Sequence, residues 1–270
     1  MHIEVFGHTD IGKKRTNNED SYLCHPIKDT KTPRFLLAVA DGMGGHTGGE
    51  IASELAIETI KETIHTRFEN HIISPSDYLE LLENSVQKAN INIFRRASED
   101  EDLMGMGSTL VAALVSDKKV YITNIGDSRA YLIRKKQIQQ ITVDHNWKSE
   151  QIQKGQLAEE DIRNSPYKDL ITRSLGLNEN ADIDTFTIET QPEDFLLLCS
   201  DGLYSLLSKK DILKAFRKSK NLKKTCHRLV DTANKKGGHD NITVVIAHFT
   251  KDDTARRSVA DTVRIDFSKV

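Results

Sequence analysis

The sequence predicts an α+β fold in which two β-sheets pack face to face. Short runs of apolar and β-branched residues recur along the chain, and near-continuous stretches such as FLLAVA mix with alternating ones such as VYITNI. This mixture is typical of strands that share buried surfaces between two sheets. The predicted strands are Ile3–Phe6, Phe35–Ala40, Thr109–Val115, Val120–Ile125, Ala130–Ile133, Phe195–Cys199 and Ile242–Phe249.

Apolar residues recur every three or four positions in three other stretches, which predicts amphipathic α-helices. The second helix has a start signal at residues 74–77, where serine can cap free amides and proline suits the first turn. The apolar positions are Ala52, Leu55, Ala56, Ile60 and Ile64 in the first helix, Leu82, Val86, Ala89 and Ile93 in the second, and Leu222, Cys226, Leu229, Val230 and Ala233 in the third.

The charge of the chain is balanced, because 38 basic and 40 acidic side chains give a formal net charge of -2 over 270 residues. No overall field favours nucleic acid or an anionic membrane, and we expect neither as a partner. Runs such as FLLAVA and LVAALV are too short to cross a bilayer. The three cysteines form no C-x-x-C pair, which is typical of a reducing compartment. We therefore expect a cytoplasmic protein, and we expect a monomer.

One domain is expected over residues 1–250, because layered folds with large sheets reach this size without splitting. Between Asp144 and Leu177 the sequence becomes polar and aperiodic, and connections of this length inside a domain are usually functional. We interpret residues 145–178 as a mobile flap. Residues 251–270 carry many charges with little apolar periodicity, which predicts a weakly ordered tail or an interaction segment.

Four aspartates fall at the ends of predicted strands. Asp41 follows FLLAVA, Asp127 follows VYITNIG, Asp201 follows FLLLCS, and Asp240 precedes NITVVIAHF. Each has a glycine nearby, which lets backbone approach a bound group closely. At any single site, the alternative is that aspartate and glycine are ordinary turn residues. If the four converge, carboxylates about 4 Å apart repel by roughly 4 kcal/mol at an effective dielectric of about 20, so they need cations or raised pKa values.

Bound cations are the simpler solution for such a cluster. An all-oxygen ligand set favours hard ions such as Mg²⁺ or Mn²⁺. The sequence has neither paired cysteines nor an H-E-x-x-H segment that would indicate zinc. We therefore predict a magnesium or manganese site with two or more ions.

The run Gly7–Lys13 imitates a phosphate-binding P-loop, but Lys14 replaces the required hydroxyl residue, so we reject a nucleotide site.

Motifs spread in order over residues 1–249 carry a resemblance to a known family. They are R-T-N-N-E-D at Arg15–Asp20, D-G-M-G-G-H at Asp41–His46, G-S-T-L at Gly107–Leu110, G-D-S-R-A-Y-L at Gly126–Leu132, S-D-G-L at Ser200–Leu203 and G-H-D-N-I-T at Gly238–Thr243. The set resembles the metal-dependent protein phosphatases of type 2C, in their bacterial serine/threonine form. The resemblance implies a four-layer α-β-β-α sandwich, with two central, mostly antiparallel β-sheets, flanking antiparallel helices, and metals in a cleft at one end.

The resemblance also implies roles for the residues that match these motifs. Asp41 would bridge two metals, and the Gly42 carbonyl would complete one coordination shell. Asp201 and Asp240 would hold the other metal. Glu19 would bind a metal or support a neighbouring ligand.

Further roles follow from the same resemblance. Asp127, with Asp201, would form a third and weaker metal site. Asp20 and Asn241 would hydrogen-bond metal-bound waters or orient ligands, and such supporting groups often matter to metal sites. Arg15 would clamp the substrate phosphate, since a guanidinium donates two parallel hydrogen bonds to phosphate oxygens. The alternative for Arg15 is a solvated side chain in a basic run.

The implied activity is hydrolysis of phosphoserine and phosphothreonine in proteins. A water bridging two tightly bound Mn²⁺ or Mg²⁺ ions would attack phosphorus directly, without a phosphoenzyme. The proton donor to the leaving alkoxide stays open: Met43 stands where many eukaryotic relatives have histidine, and the candidates are His46 and a metal-bound water. The residues expected to carry the chemistry are Arg15, Asp41, Asp201 and Asp240.

The expected partners are phosphorylated proteins, including a serine/threonine kinase or its substrates, and the flap would contribute to substrate choice. One alternative is a catalytically silent relative that binds phosphoproteins. Such a protein should lack the metal-binding aspartates, and this sequence has them. Another alternative is a phosphodiesterase or small-molecule phosphomonoesterase with the same metals, which only substrate profiling would distinguish.

Overall fold

The computed structural model describes residues 1–27, 35–45, 47–70, 73–116, 118–155, 157, 159–217 and 221–251. The described strands are β1 (His2–Asp10), β2 (Asp20–Pro26), β3 (Phe35–Met43), β4 (Gly107–Ser108), β5 (Leu110–Val115), β6 (Lys119–Ile125), β7 (Arg129–Arg134), β8 (Gln137–Gln140), β9 (Asp184–Glu189), β10 (Phe195–Cys199) and β11 (Ile242–Thr250). The described helices are α1 (Gly48–Asn70), α2 (Tyr78–Glu99), α3 (Trp147–Lys154), α4 (Glu159–Asn164), α5 (Asp201–Tyr204), α6 (Lys209–Arg217) and α7 (Leu222–Lys235).

The strands form two sheets in which all neighbours pair antiparallel. The first sheet has the order β1-β11-β10-β7-β8, and the second has the order β2-β3-β5-β6-β9, with the short β4 beside β3. Because β3 and β10 are both internal strands, the residues at their ends lie in the middle of the molecule. This topology places the candidate site between the sheets.

Three apolar clusters separate four layers. Helices α1 and α2 cover the second sheet, α6 and α7 cover the first sheet, and the third cluster fills the space between the sheets. Strand β5 shows how the sequence produces this arrangement, since side chains alternate faces along a strand. From Leu110 onward, every second residue packs under the helices, while the residues between them pack against the other sheet. The four-layer α-β-β-α prediction is confirmed.

Several predicted elements differ in extent from the observed ones. Strand β3 continues to Met43, so Asp41 and Gly42 lie within the strand and not after it. Strand β5 begins one residue later than predicted, at Leu110. Ser74 makes no side-chain capping hydrogen bond, and a 3-10 turn at Pro75–Asp77 precedes α2.

Strands β2, β8 and β9 have no counterpart in the prediction, because each has a weak apolar signal. Strand β9 alternates polar and apolar residues at a sheet edge, and β2 contains Asp20, His25 and Pro26. Pro26 is tolerated because β2 is also an edge strand. The predicted tail lies almost wholly outside the described residues, as does His46.

The segment predicted as an aperiodic flap contains the two short helices α3 and α4. The Asn146 side chain caps α3 by accepting a hydrogen bond from the Ser149 amide at 3.0 Å, and Gly155 ends the helix with a positive φ of 61°. Such cap residues are sequence signals for a helix, but they were hard to recognise in a segment of polar composition. Within the described residues, no helix combines the length and apolar character needed to cross a membrane.

Candidate metal-binding site at the strand ends

The four aspartates predicted to converge lie at one end of the paired sheets. Asp41 is in β3, Asp127 is in the turn between β6 and β7, Asp201 begins α5 just beyond β10, and Asp240 precedes β11. Their charges act on one another: burial raises the pKa of Asp41 well above its usual range, and the charges of the other three add to the shift. The structure therefore brings these carboxylates together.

Asp20 is a fifth carboxylate of this cluster, directly opposite Asp41 in the register of β2 and β3. Ser200 Oγ and Thr243 Oγ1 donate to Asp20 Oδ2 at 2.7 Å and 2.6 Å. Burial nevertheless raises the pKa of Asp20 to about 6, against the effect of the two hydrogen bonds. The other carboxylate oxygen, Oδ1, is buried without a donor among the described residues.

Asp201 has a strongly raised pKa. Burial raises its pKa to about 7, and the charges of Asp127, Asp240 and Asp20 contribute. Its Oδ1 is also buried without a hydrogen-bond partner in the described part of the chain. A buried carboxylate whose oxygen accepts no hydrogen bond, and which lies beside other carboxylates, is unfavourable unless a cation or a proton neutralises it.

Glu19 is fixed by backbone contacts on both sides of the site. Its amide donates to Asn241 Oδ1 at 2.9 Å, and its carbonyl accepts a hydrogen bond from the Gly42 amide at 3.1 Å. The Asn241 carboxamide also donates to the carbonyls of Ile11 and Asn17. Asn241 thus holds the loop that carries Glu19.

Gly42 has no room for a side chain. A Cβ at this position would collide with the carbonyl oxygen of Gly49 and would lie 2.7 Å from that of Glu19. The Glu19 carboxylate in turn lies against Gly49, where a Cβ would be 2.6 Å from Glu19 Oε1. The glycines of D-G-M-G-G-H-T-G-G therefore allow the acidic loop and the start of α1 to approach closely.

Arg15 faces the acidic cluster from a partly exposed position. Its Nε lies 2.8 Å from Asp240 Oδ1, and its Nη2 donates to Asp240 Oδ2 at 2.9 Å. A longer contact of 3.5 Å joins Nη1 to Glu19 Oε2. The hydrogen bond to Asp240 is the main reason that the pKa of Arg15 is raised. The guanidinium thus orients two acidic side chains at the edge of the acidic cluster.

Asp127 is buried, and burial raises its pKa. Tyr204 donates to the Asp127 carbonyl at 2.9 Å, and the guanidinium of Arg129 lies 3.4 Å above the Tyr204 ring. Arg129 also makes two hydrogen bonds to Asp144, at 2.8 Å and 2.6 Å. The arginine of the G-D-S-R motif therefore stabilises the turn that carries Asp127.

Three hydroxyl residues that position these acids were present in the motifs but received no role from the sequence. Thr109 Oγ1 accepts a hydrogen bond from the Asp41 amide at 3.0 Å, and the Thr109 amide donates to the Asp41 carbonyl at 2.9 Å. Ser200 and Thr243 instead donate their hydroxyl groups to the Asp20 carboxylate. The available signal was their place in the motifs G-S-T-L, S-D-G-L and G-H-D-N-I-T.

No three carboxylate, imidazole or thiol side chains among the described residues already form a closed ligand set for an ion. The donors nevertheless fit a hard cation, because they are carboxylate oxygens and two of them are buried without a partner. Their mutual repulsion is the energetic problem that a divalent ion removes. The structure thus supports the site chemistry while leaving individual ligand roles as predictions.

The four-layer sandwich has the fold of serine/threonine phosphatases of known structure, which are phosphoric-monoester hydrolases. The chain belongs to the protein phosphatase 2C family, whose model matches residues 10–246.

The similarity to known proteins covers nearly the whole chain. The serine/threonine phosphatase stp of Listeria innocua is 36% identical over 246 residues, which cover 91% of this chain and 95% of the relative. The Mycobacterium tuberculosis serine/threonine phosphatase PstP/Ppp is 33% identical with a TM-score of 0.81, covering 93% of this chain and 100% of that one. The catalytic domain of PstP in complex with 2 manganese ions is 34% identical with a TM-score of 0.77, and the match covers 92% of this chain and 99% of that one.

Proposed function

We propose that this protein hydrolyses phosphoserine and phosphothreonine in phosphoproteins with the help of Mn²⁺ or Mg²⁺. The observation that carries the proposal is the set of mutually repelling carboxylates around Asp41, in which Asp20 and Asp201 each keep a buried oxygen without a donor among the described residues. Family membership and the serine/threonine phosphatases among its relatives support the same activity. A catalytically silent relative would have no need to maintain this repulsion.

The metal ligands in this proposal come from the residues at the strand ends. Asp41 and the Gly42 carbonyl would contribute to one ion together with Glu19, while Asp41, Asp201 and Asp240 would hold a second. Bound ions of this kind activate water and neutralise charge on a phosphoryl group. The manganese complex of the relative PstP supports two ions. A third, weaker site would use Asp127 with Asp201.

Other residues position substrate and ligands. Arg15 is partly exposed at the cleft edge and can turn its guanidinium fork from Asp240 to a phosphate. Asp20 and Asn241 act through the ligands beside them, because Asp20 lies opposite Asp41 and Asn241 holds the Glu19 loop. Met43 cannot donate a proton, so protonation of the leaving alkoxide would use His46 or a metal-bound water.

The proposed physiological role is to oppose a serine/threonine kinase in the cytoplasm, acting as a monomer on that kinase or its substrates. The activity is tested by measuring phosphate release from a phosphothreonine peptide with Mn²⁺, Mg²⁺ or a chelator. We expect release with either ion and none in chelator. Equal release in chelator would contradict the proposal, and a folded protein that binds the peptide without releasing phosphate would support the silent alternative.

The flap formed by residues 145–178 is proposed to influence substrate choice. It exposes large apolar side chains, namely Ile152, Leu157, Tyr167, Leu170 and Leu177. The end of this segment is tied to the candidate site, since Leu175 and Ser108 exchange backbone hydrogen bonds and the Ser108 hydroxyl donates to the Asp41 carbonyl. Exchanging this segment with that of a relative should change phosphopeptide preference and leave hydrolysis of a small aryl phosphate intact; unchanged preference would contradict this role.

A further inference from the structure

A groove of about 770 Å³ lies at the opposite end of β7 and β10 from the acidic cluster. The β7–β8 turn, the loop before β10 and helix α6 form its walls. Phe195 begins β10 and Asp201 follows the end of that strand. At about 3.3 Å per residue the groove is therefore roughly 20 Å from the carboxylates. It is separate from the candidate active site.

The floor of the groove is an apolar surface. Phe195, Leu213 and Phe216 are half-buried and extend the core beneath α6. The rings of Phe195 and Phe216 meet edge to face with centroids 5.1 Å apart, and Phe195 stacks on His248 at 4.0 Å. A preformed aromatic surface of this kind suits an apolar anchor side chain of a ligand.

The rim of the groove carries exposed cations at Lys135, Lys136 and Arg217. Within the described residues, none of these three side chains lies within salt-bridge distance of a carboxylate. The local positive charge contrasts with the net charge of -2 of the whole chain. The rim would therefore attract an acidic ligand.

The two acidic residues in the groove lining do not cancel this charge. Asp194 is buried and accepts two charge-assisted hydrogen bonds from Arg134, at 2.9 Å to Nε and 2.6 Å to Nη2. Glu193 Oε2 lies 4.0 Å from His248 Nε2. Asp194 is thus neutralised by Arg134, and the one remaining exposed carboxylate, Glu193, is outnumbered by the three cations of the rim.

Backbone strain is concentrated at the same groove. Among the described residues, the non-glycine positions with positive φ are Lys135 at 48°, Lys136 at 66° and Glu193 at 73°, and all three line the groove. Lys135 and Lys136 form the two-residue turn between β7 and β8, where Asn-Gly would be much more favourable. Two lysines at this turn are unfavourable for the backbone, which points to a use for their charge.

We propose that this groove binds an acidic linear segment of a partner protein, with one apolar side chain on the aromatic floor and carboxylates or phosphates at the cationic rim. The charge of the rim, the apolar floor and the strained lysines all favour this ligand. In a phosphoprotein substrate the segment would tether the phosphorylated residue near the active site, a consequence that rests on the proposed phosphatase activity.

Binding is tested without reference to activity by fluorescence anisotropy of the full-length protein with a labelled peptide of glutamates around one phenylalanine. We expect saturable binding that weakens with salt, and roughly tenfold weaker binding to Lys135→Asn/Lys136→Gly, which removes two charges and relieves the turn. Lys224→Glu/Lys235→Glu changes charge elsewhere on the surface and should bind normally.

Two results would overturn the proposal. One is equal binding of the peptide in which lysines replace the glutamates, or of the peptide in which alanine replaces the phenylalanine. The other is tighter binding of a synthetic peptide of residues 252–270, which would assign the groove to the chain's own C-terminal segment.

The tethering effect is tested with a phosphothreonine peptide that carries the acidic segment on a glycine-serine linker of about 14 residues, a length that spans roughly 20 Å. We expect a lower KM than for the untethered phosphopeptide, with kcat unchanged, and loss of that advantage in Lys135→Asn/Lys136→Gly. Equal KM values with retained activity would contradict tethering alone, whereas no hydrolysis of either peptide would count against the phosphatase activity.

Discussion

Asp20 and Asp41 lie opposite each other in the antiparallel pairing of β2 and β3, and burial raises the pKa of both. The charge of Asp20 adds to the shift at Asp41. Two facing carboxylates at this depth are maintained only because the surrounding residues fix them: hydroxyl groups hold Asp20, and the Thr109 backbone and side chain hold the Asp41 main chain. The same relationship favours the binding of a divalent ion, which would remove the repulsion between the two carboxylates.

Ser200→Ala removes a hydroxyl donor from Asp20 without changing any proposed metal ligand. We expect Mn²⁺ affinity to fall by roughly 10- to 100-fold, because supporting hydrogen bonds orient carboxylates beside a metal. Calorimetric titration with Mn²⁺ measures the change. Ser205→Ala, at an exposed position in the following turn, serves as the control, and equal affinity of the two variants would contradict the positioning role of Ser200.

The metal-free protein should lose stability as pH rises, because the folded-state pKa of Asp201 is raised to about 7. Between roughly pH 4 and 7 the folded state binds more protons than the unfolded state, so the free energy of unfolding falls with pH across this window. Asp201→Asn removes the ionisation, and we expect this variant to exceed wild type by about 1–3 kcal/mol at pH 8.

That difference should decrease toward zero near pH 4, where the wild-type carboxyl group is protonated in the folded protein. Urea unfolding in the presence of chelator at several pH values measures it. A stability difference that is constant with pH, or that grows toward low pH, would show that Asp201 is not the source.

Arg15→Lys keeps a positive charge but loses the paired hydrogen bonds that the guanidinium makes to Asp240. We expect kcat/KM for a phosphothreonine peptide to fall roughly tenfold, since an ammonium group cannot reproduce the planar fork. Steady-state kinetics at saturating Mn²⁺ measure the effect, with Lys14→Ala as the matched neighbour. Wild-type kcat/KM in Arg15→Lys would assign Arg15 to the solvated basic run.

The layered fold could be predicted from the sequence because buried strands such as β5 and β10 are apolar along their whole length. The edge strands could not be predicted in this way. Strand β9 has only half of its residues directed inward, and β8 follows a turn made of two lysines, which carry no turn signal. In both strands the pairing with a neighbour outweighs local preference.

The convergence of the acidic residues could be predicted from their position at strand ends. The residues that hydrogen-bond to them could not be predicted. The contact between Ser200 and Asp20 joins residues 180 positions apart, and its partner Thr243 lies on a third element. Sequence spacing does not show which hydroxyl contacts which carboxylate. Nor could it indicate that Arg129 would bind Asp144 and stack on Tyr204.

The central claim is that coupled carboxylates hold the ions that make this chain a phosphatase. The most direct measurement is phosphate release from a phosphothreonine peptide by wild type, Asp41→Asn and Asp201→Asn with Mn²⁺, using exposed Glu54→Gln on α1 as the matched charge control. We predict metal-dependent release by wild type and Glu54→Gln, and loss of at least roughly 100-fold in both aspartate variants while they remain folded. Full activity in either aspartate variant would contradict the account.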